Sequence, residues 1–179
     1  MNNIVLIRIT DTDNPMWKEA MDIYDVSFPA EEKRSHQKHV QLIQENNAYH
    51  FYAATENRTV VGMLVLWELQ GFVYLDYLAT SPHFRNKGFG KQIIERLKAL
   101  FALPMVLEVE LPKTDLAKRR TAFYMRLGFH LSDFPYYMPD YTCPQKKIHM
   151  YLMSFPAPID HAVGVHAMRE IHAHAYNTV

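Results

Sequence analysis

Two groups of residues in this chain have the types and spacing to do chemistry. The run Arg85-Asn86-Lys87-Gly88-Phe89-Gly90-Lys91 carries two glycines that let the backbone turn tightly and come close to a ligand. It opens onto a segment in which Ile93, Ile94, Leu97, Leu100 and Phe101 recur at helical spacing. The unpaired N–H groups and positive dipole end of that helix lie where an anion would sit, so the loop is suited to holding phosphate. The second group is acid–base. In Leu107-Glu108-Val109-Glu110, strand alternation points both carboxylates to one face, where mutual repulsion raises the apparent pKa of the pair and makes a better base. Tyr124, with an ordinary pKa of about 10, stays protonated at neutral pH and can donate to a departing group.

Spacing narrows the phosphate ligand. Counting back from Gly90-Lys91 puts Arg85 where a Walker loop needs its first glycine, and Gln92 where it needs Ser or Thr. A dinucleotide fingerprint starting at Gly88 would need a small residue at Ile93, and no βαβ unit with an acidic residue after a second strand is evident. Arg85-x-x-Gly88-x-Gly90 resembles instead the pyrophosphate-binding signature Arg/Gln-x-x-Gly-x-Gly/Ala of the GNAT superfamily of acyl-CoA-dependent N-acetyltransferases. Ala122–Phe129 resembles that family's other motif, a helix carrying a Tyr four residues before a Gly-Phe pair, here Tyr124 and Gly128-Phe129. The resemblance covers about residues 4 to 154.

The resemblance implies an α/β chain of the α+β type: the GNAT fold, a mixed, mainly antiparallel sheet flanked by helices, with splayed central strands. It implies acetyl-CoA as co-substrate and direct transfer of its acetyl group to a primary amine of a small molecule, peptide or protein. By motif position the Leu78 N–H would hold the thioester carbonyl, and Ala79 and Thr80 would pair with the pantetheine arm as an added strand does. Backbone N–H groups from Asn86 to Lys91 would meet the pyrophosphate, with charge from Arg85 and Lys87 and with Phe89 turned under the helix as packing. Tyr124 would be the acid. Glu108 takes the position of a Glu that relatives acetylating protein N-termini place in a similar strand, which makes it the base; Asp76 and Glu68 are the alternatives. From another class, a non-catalytic acyl-CoA-binding sensor would keep the loop but lack an acceptor site.

The elements that must position these residues are legible as a pattern. Ile4–Ile9 reads as a strand, and Asn14 as the cap of a helix with Pro15 at its first position, stopped by Pro29. A second helix is expected over Ser35–Gln44, with Val40 and Ile43 on one side. Strands follow over Tyr49–Thr55, Thr59–Leu69 and Phe72–Thr80, around turns at Glu56-Asn57-Arg58 and Gln70-Gly71. After the loop helix come a strand Met105–Glu110, a helix Thr114–Leu127 capped by Thr114 or Asp115, and a hairpin of Gly128–Leu131 with Lys147–Ser154. Phe134–Tyr141 reads as a long aromatic connection that either lines an acceptor pocket or packs. Residues 1–155 then form one catalytic domain, and 156–179 a helical tail capped by Asp160 that packs on the domain or on a second subunit.

Composition sets the outer bounds. The chain has 179 residues, 49% hydrophobic, enough for one domain with a substantial core. Nineteen basic and nineteen acidic residues give zero formal net charge, which offers no global field for nucleic acid or an anionic membrane. Met1-Asn2-Asn3 lacks basic residues and Ile4–Ile7 stops at Arg8, far short of a signal core or a span, so a soluble cytoplasmic protein is expected. The single Cys143 has no activating His beside it, which argues against a covalent acyl-enzyme. Of the ten histidines six pair, as His36/His39, His161/His166 and His172/His174, without a nearby third ligand, so no metal is expected.

Overall fold

The computed structural model describes residues 4–143 and 145–177; Met1-Asn2-Asn3, Pro144 and the last two residues of the expected tail lie outside them. Among the described residues the strands run in the order β1 (Val5–Ile9), β2 (Tyr49–Glu56), β3 (Thr59–Leu69), β4 (Phe72–Thr80), β5 (Met105–Glu110), β8 (Lys147–Phe155), β6 (His130–Leu131), with β7 (Tyr136–Pro139) on β8, and five α-helices accompany this mixed, mostly antiparallel sheet. The chain divides into two compact units, one from the N-terminal part to Glu68 plus Asp76–Ala102, the other Leu69–Leu75 plus the residues from Leu103 on.

In the first unit, β1 (Val5–Ile9) pairs antiparallel with β2 (Tyr49–Glu56), from Val5↔Thr55 to Ile9↔Phe51, and β2 pairs antiparallel with β3 (Thr59–Leu69). Asn57 and Arg58 both adopt positive φ, 48° and 69°, which gives the β2–β3 turn the twist a two-residue hairpin needs. Helix α1 (Met16–Ser27) starts one residue later than expected: Pro15 takes the cap position, with no side-chain cap bond, and the Asn14 side chain before it accepts from Met16 N–H at 3.0 Å. Phe28 is extended before Pro29 and ends it. Helix α2 (His36–Glu45) is capped by Ser35, whose side chain accepts from Lys38 N–H. Its buried face is not the expected Val40/Ile43 pair but His39 and Leu42, with Val40 and Ile43 only half-buried. The unit closes with the C-terminal half of β4 (Phe72–Thr80) and helix α3 (Phe89–Leu100), which buries Phe89, Ile93, Ile94 and Leu97. Leu100, expected on the same stripe, is 52% exposed at the helix end.

In the second unit, the N-terminal half of β4 pairs in parallel with β5 (Met105–Glu110) over three residues, from Val73↔Met105 to Leu75↔Leu107. β5 continues antiparallel to β8 (Lys147–Phe155), from Met105↔Phe155 to Glu110↔Met150. Helix α4 (Asp115–Arg126) is capped by Thr114, whose hydroxyl accepts from Ala117 N–H. β6 (His130–Leu131) then pairs with β8, as the hairpin reading required. The stretch read as a connection holds a further strand, β7 (Tyr136–Pro139), antiparallel to the other end of β8. Helix α5 (His161–His174) fills the tail; Asp160 caps it by accepting from Val163 N–H. Its Gly164 lies against the Phe134 ring, where a Cβ would come within 2.7 Å. No helix among the described residues is long and apolar enough to cross a membrane.

Candidate active site

In the first unit, the glycine loop presents a bare helix start. Gly88 sits at the N-terminus of α3 with φ +82°, no side chain caps that end, and no acidic residue occupies its first turn. Asn86 is also left-handed, at φ +62°. Arg85, Asn86, Lys87, Gly88 and Lys91 are exposed and Gly90 half-buried, while Phe89 is 3% exposed and packs edge-on against Phe84. Lys87 Nζ lies over the Phe84 ring, 5.1 Å from its centroid. Uncompensated N–H groups, positive dipole and three basic side chains make this end chemically fit for a pyrophosphate. Its own sequence supplies no carboxylate to compete.

The strand leading to that loop holds Leu78, Ala79 and Thr80, with Ala79 buried and the other two half-buried. The β4–β5 ladder ends at Leu75↔Leu107, so Asp76–Thr80 lie past it. On the β3 side the fit is close: a Cβ at Gly62 would approach the Ala79 carbonyl to 2.7 Å. Asp76 is committed elsewhere. Its Oδ2 receives Arg34 Nη1 at 2.7 Å and Trp67 Nε1 at 2.8 Å, and both charged side chains are only 3% exposed. Arg34 also stacks over the Trp67 and Tyr77 rings. Tyr77 donates to Glu32 O at 2.7 Å, and Tyr24 donates to Arg34 O while accepting Arg34 N–H, so the segment before α2 is fastened by these side chains. Glu68 is half-exposed, 3.6 Å from His50 Nε2.

The second unit holds Glu108 and Tyr124. Glu108 and Glu110 share a face of β5 as alternation requires, but each meets its own partner instead of the other. Glu110 forms an ion pair with Arg120 of α4 at 2.5 Å. Glu108 accepts hydroxyls from Tyr136 on Oε1 and from Tyr176 on Oε2, the latter at 2.8 Å. Tyr124 is 8% exposed, its ring between Phe123 and Phe129 at centroid distances of 5.1 and 5.5 Å. Burial drives its pKa up to about 12, with Arg120 opposing and Glu110 adding, so the phenol is protonated across the neutral range. Among the described residues no group hydrogen-bonds its hydroxyl.

Sequence reasoning missed Arg34 and Tyr176 and read Tyr136 only as part of the aromatic connection; the three sit 42, 68 and 28 residues from the carboxylates they hold. No spacing rule reaches that far. Among the described residues no group of three His, Cys, Asp or Glu side chains could hold a metal ion. The exposed Cys143 lies in a turn gathered by the Asp140 carboxylate.

Comparison with known proteins gives this geometry a context. YjbC of Bacillus subtilis (strain 168), classed as an acetyltransferase, is 31% identical over 115 residues, 63% of this chain and 56% of that protein. The match thus spans little more than half of that relative's length. A GNAT-family protein from Bacteroides thetaiotaomicron is 30% identical, superposes with a TM-score of 0.90, and the match covers 98% of this chain and 99% of that one. A GNAT family acetyltransferase from Elizabethkingia anophelis, solved with acetyl-CoA bound, shares the fold at 17% identity and a TM-score of 0.58, covering 86% of this chain and 98% of its own. The sequence profile described as the acetyltransferase (GNAT) family matches residues 17–129. The chain belongs to the acetyltransferase (GNAT) family.

Proposed function

We propose that the protein is an N-acetyltransferase that moves the acetyl group of acetyl-CoA directly to a primary amine of a small molecule, peptide or protein. The observation that carries this reading is the bare, left-handed start of α3 at Gly88, with Arg85, Lys87 and Lys91 within three residues of it in the chain. When bound, acetyl-CoA supplies an acyl group activated as a thioester. The α3 N-terminus, from Asn86 to Lys91, holds its pyrophosphate. The backbone of Leu78 polarises the carbonyl, and Ala79 and Thr80 pair with the pantetheine arm on the side of β4 that has passed the end of the β5 ladder. Tyr124, protonated, donates to the departing thiolate; Glu108, directly or through a water, takes the proton from the attacking amine. Asp76 belongs to the Arg34 ion pair and not to the proton path.

The test is thiol release from acetyl-CoA in the presence of polyamines, aminosugars, amino acids and short peptides, with coenzyme A uptake followed by calorimetry. Glu108→Gln is expected to lower turnover at pH 7 by about 10²-fold while leaving cofactor affinity unchanged. An unchanged rate would remove Glu108 from the proposed path. Cofactor uptake with no release for any amine would favour the sensor reading, and absence of uptake would sink both.

A further inference from the structure

The tail helix α5 and strand β7 deliver two side chains that neither the family signature nor the proposed mechanism uses. Tyr176 follows directly on the last turn of α5 and reaches Oε2 of Glu108 at 2.8 Å; Tyr136 of β7, fully buried, reaches Oε1 of the same carboxylate. Each oxygen thus receives a phenolic O–H. Behind Tyr176, the Tyr74 hydroxyl of β4 stands at 3.5 Å and the Met138 sulfur at 3.9 Å, while the Tyr141 ring packs at 5.5 Å. His172, one turn back on α5, meets both Tyr136 and Tyr176 edge-on.

We propose that Tyr176 and Tyr136 clamp the Glu108 carboxylate, fixing its orientation and favouring its charged form, so that α5 contributes a positioning residue to the catalytic centre. The inference rests on Glu108 being the base. Hydroxyl donors bind a carboxylate more strongly than a carboxylic acid, because the acid loses half of its accepting capacity and most of its charge. Two donors, one per oxygen, also remove the rotation about the last side-chain bond. Around the clamp stand Tyr74 of β4 beside Tyr176, the Tyr141 ring, His172 against both phenol rings with Lys147 of β8 acting on it, and Glu110 with its partner Arg120 next along β5. Burial and the neighbouring Glu108 charge both push the Tyr176 pKa well above its ordinary value, and burial lowers that of His172, so over the neutral range the phenol is a donor and the imidazole uncharged.

The test is carboxyl-carbon NMR titration of Glu108 in the full chain labelled at glutamate, assigned by its absence in Glu108→Gln. Tyr176→Phe is expected to increase the proton affinity of Glu108 about tenfold, one unit of pKa. Tyr136→Phe should do the same, and serves if Tyr176→Phe does not fold. Met138→Leu, which alters packing beside Tyr176 but keeps both hydroxyls, should move nothing. An unmoved titration in both Phe variants, or an equal shift in Met138→Leu, overturns the clamp. The acid limb of the rate–pH profile with an active amine from the panel separates the two readings. If it rises with the NMR value, both stand; if the NMR value moves and the limb does not, the clamp stands and Glu108 as base fails.

Discussion

Asp76→Asn is the substitution that most sharply separates scaffold from chemistry. The Arg34–Asp76 pair is 2.7 Å long with both side chains 3% exposed, so solvent screens it very little. Asparagine keeps an oxygen for Trp67 Nε1 but takes away the carboxylate charge that compensates the guanidinium. Removing one member of a buried pair typically costs about 3–5 kcal/mol. With an unfolding entropy of about 2.1 cal/mol/K per residue, the 179 residues give about 0.4 kcal/mol/K, so the melting midpoint should fall by about 8–13 °C. Scanning calorimetry of the wild type and variant measures this directly. Arg34→Met combined with Asp76→Leu, which removes both charges, should recover part of the loss, because an apolar pair can replace a buried ion pair at little cost while Trp67 Nε1 is left without its acceptor. A midpoint within about 2 °C of wild type, together with lost turnover, would refute the argument and return Asp76 to the list of bases.

Three further outcomes are expected. Gly88→Ala places a Cβ in open space, with nothing within 4 Å, so its penalty is left-handed strain of about 1–2 kcal/mol; calorimetry should show weaker coenzyme A uptake alongside a lower melting midpoint. Tyr124→Phe removes a hydroxyl with no described partner, so stability should hold while thiol release slows by about 10²-fold or more; an unchanged rate would reduce Tyr124 to packing. His39, buried between Tyr24, Tyr77 and Phe51 with Nδ1 on the Tyr49 hydroxyl, has its pKa lowered to about 3 by burial first and then by Arg34 and His36. The unfolded chain protonates this ring near pH 6.5 and the folded one does not. Stability should therefore drop as pH falls from 6.5 toward 3, by about 1.4 kcal/mol per unit from this group, and urea midpoints of His39→Gln should follow a flatter curve.

What could be read from the sequence was local. Ser35, Thr114 and Asp160 each announce a helix start by chemistry that acts within three residues, and all three side chains accept the expected N–H. The glycine loop and Tyr124 stood out because their motifs are contiguous. β7 escaped because Pro135 precedes it and Pro139 is its last residue, although Tyr136 and Met138 are buried and Tyr137 exposed with strand period. The buried face of α2 escaped because it is centred on a histidine, a residue whose type does not announce burial. The partners of Asp76 and Glu108 escaped for a different reason: tertiary folding, not spacing, brings Arg34, Tyr136 and Tyr176 to them.

Gly164 gives the tail a fulcrum. Phe134 occupies the space its missing side chain leaves, so the first turn of α5 seats on that ring, and Ala167 and Ile171 bury the same helix further along. From Gly164 to His174 is about 15 Å of axis at 1.5 Å per residue, and Tyr176 rides just past the far end. A methyl group at the seat would tilt this lever, and a small lift there becomes a larger displacement of the phenol at the tip. One residue inserted between seat and tip would swing the phenol by about 100° around the axis. Phase and pitch of the tail, set in part at a glycine ten residues before the helix end, therefore govern where a hydroxyl arrives.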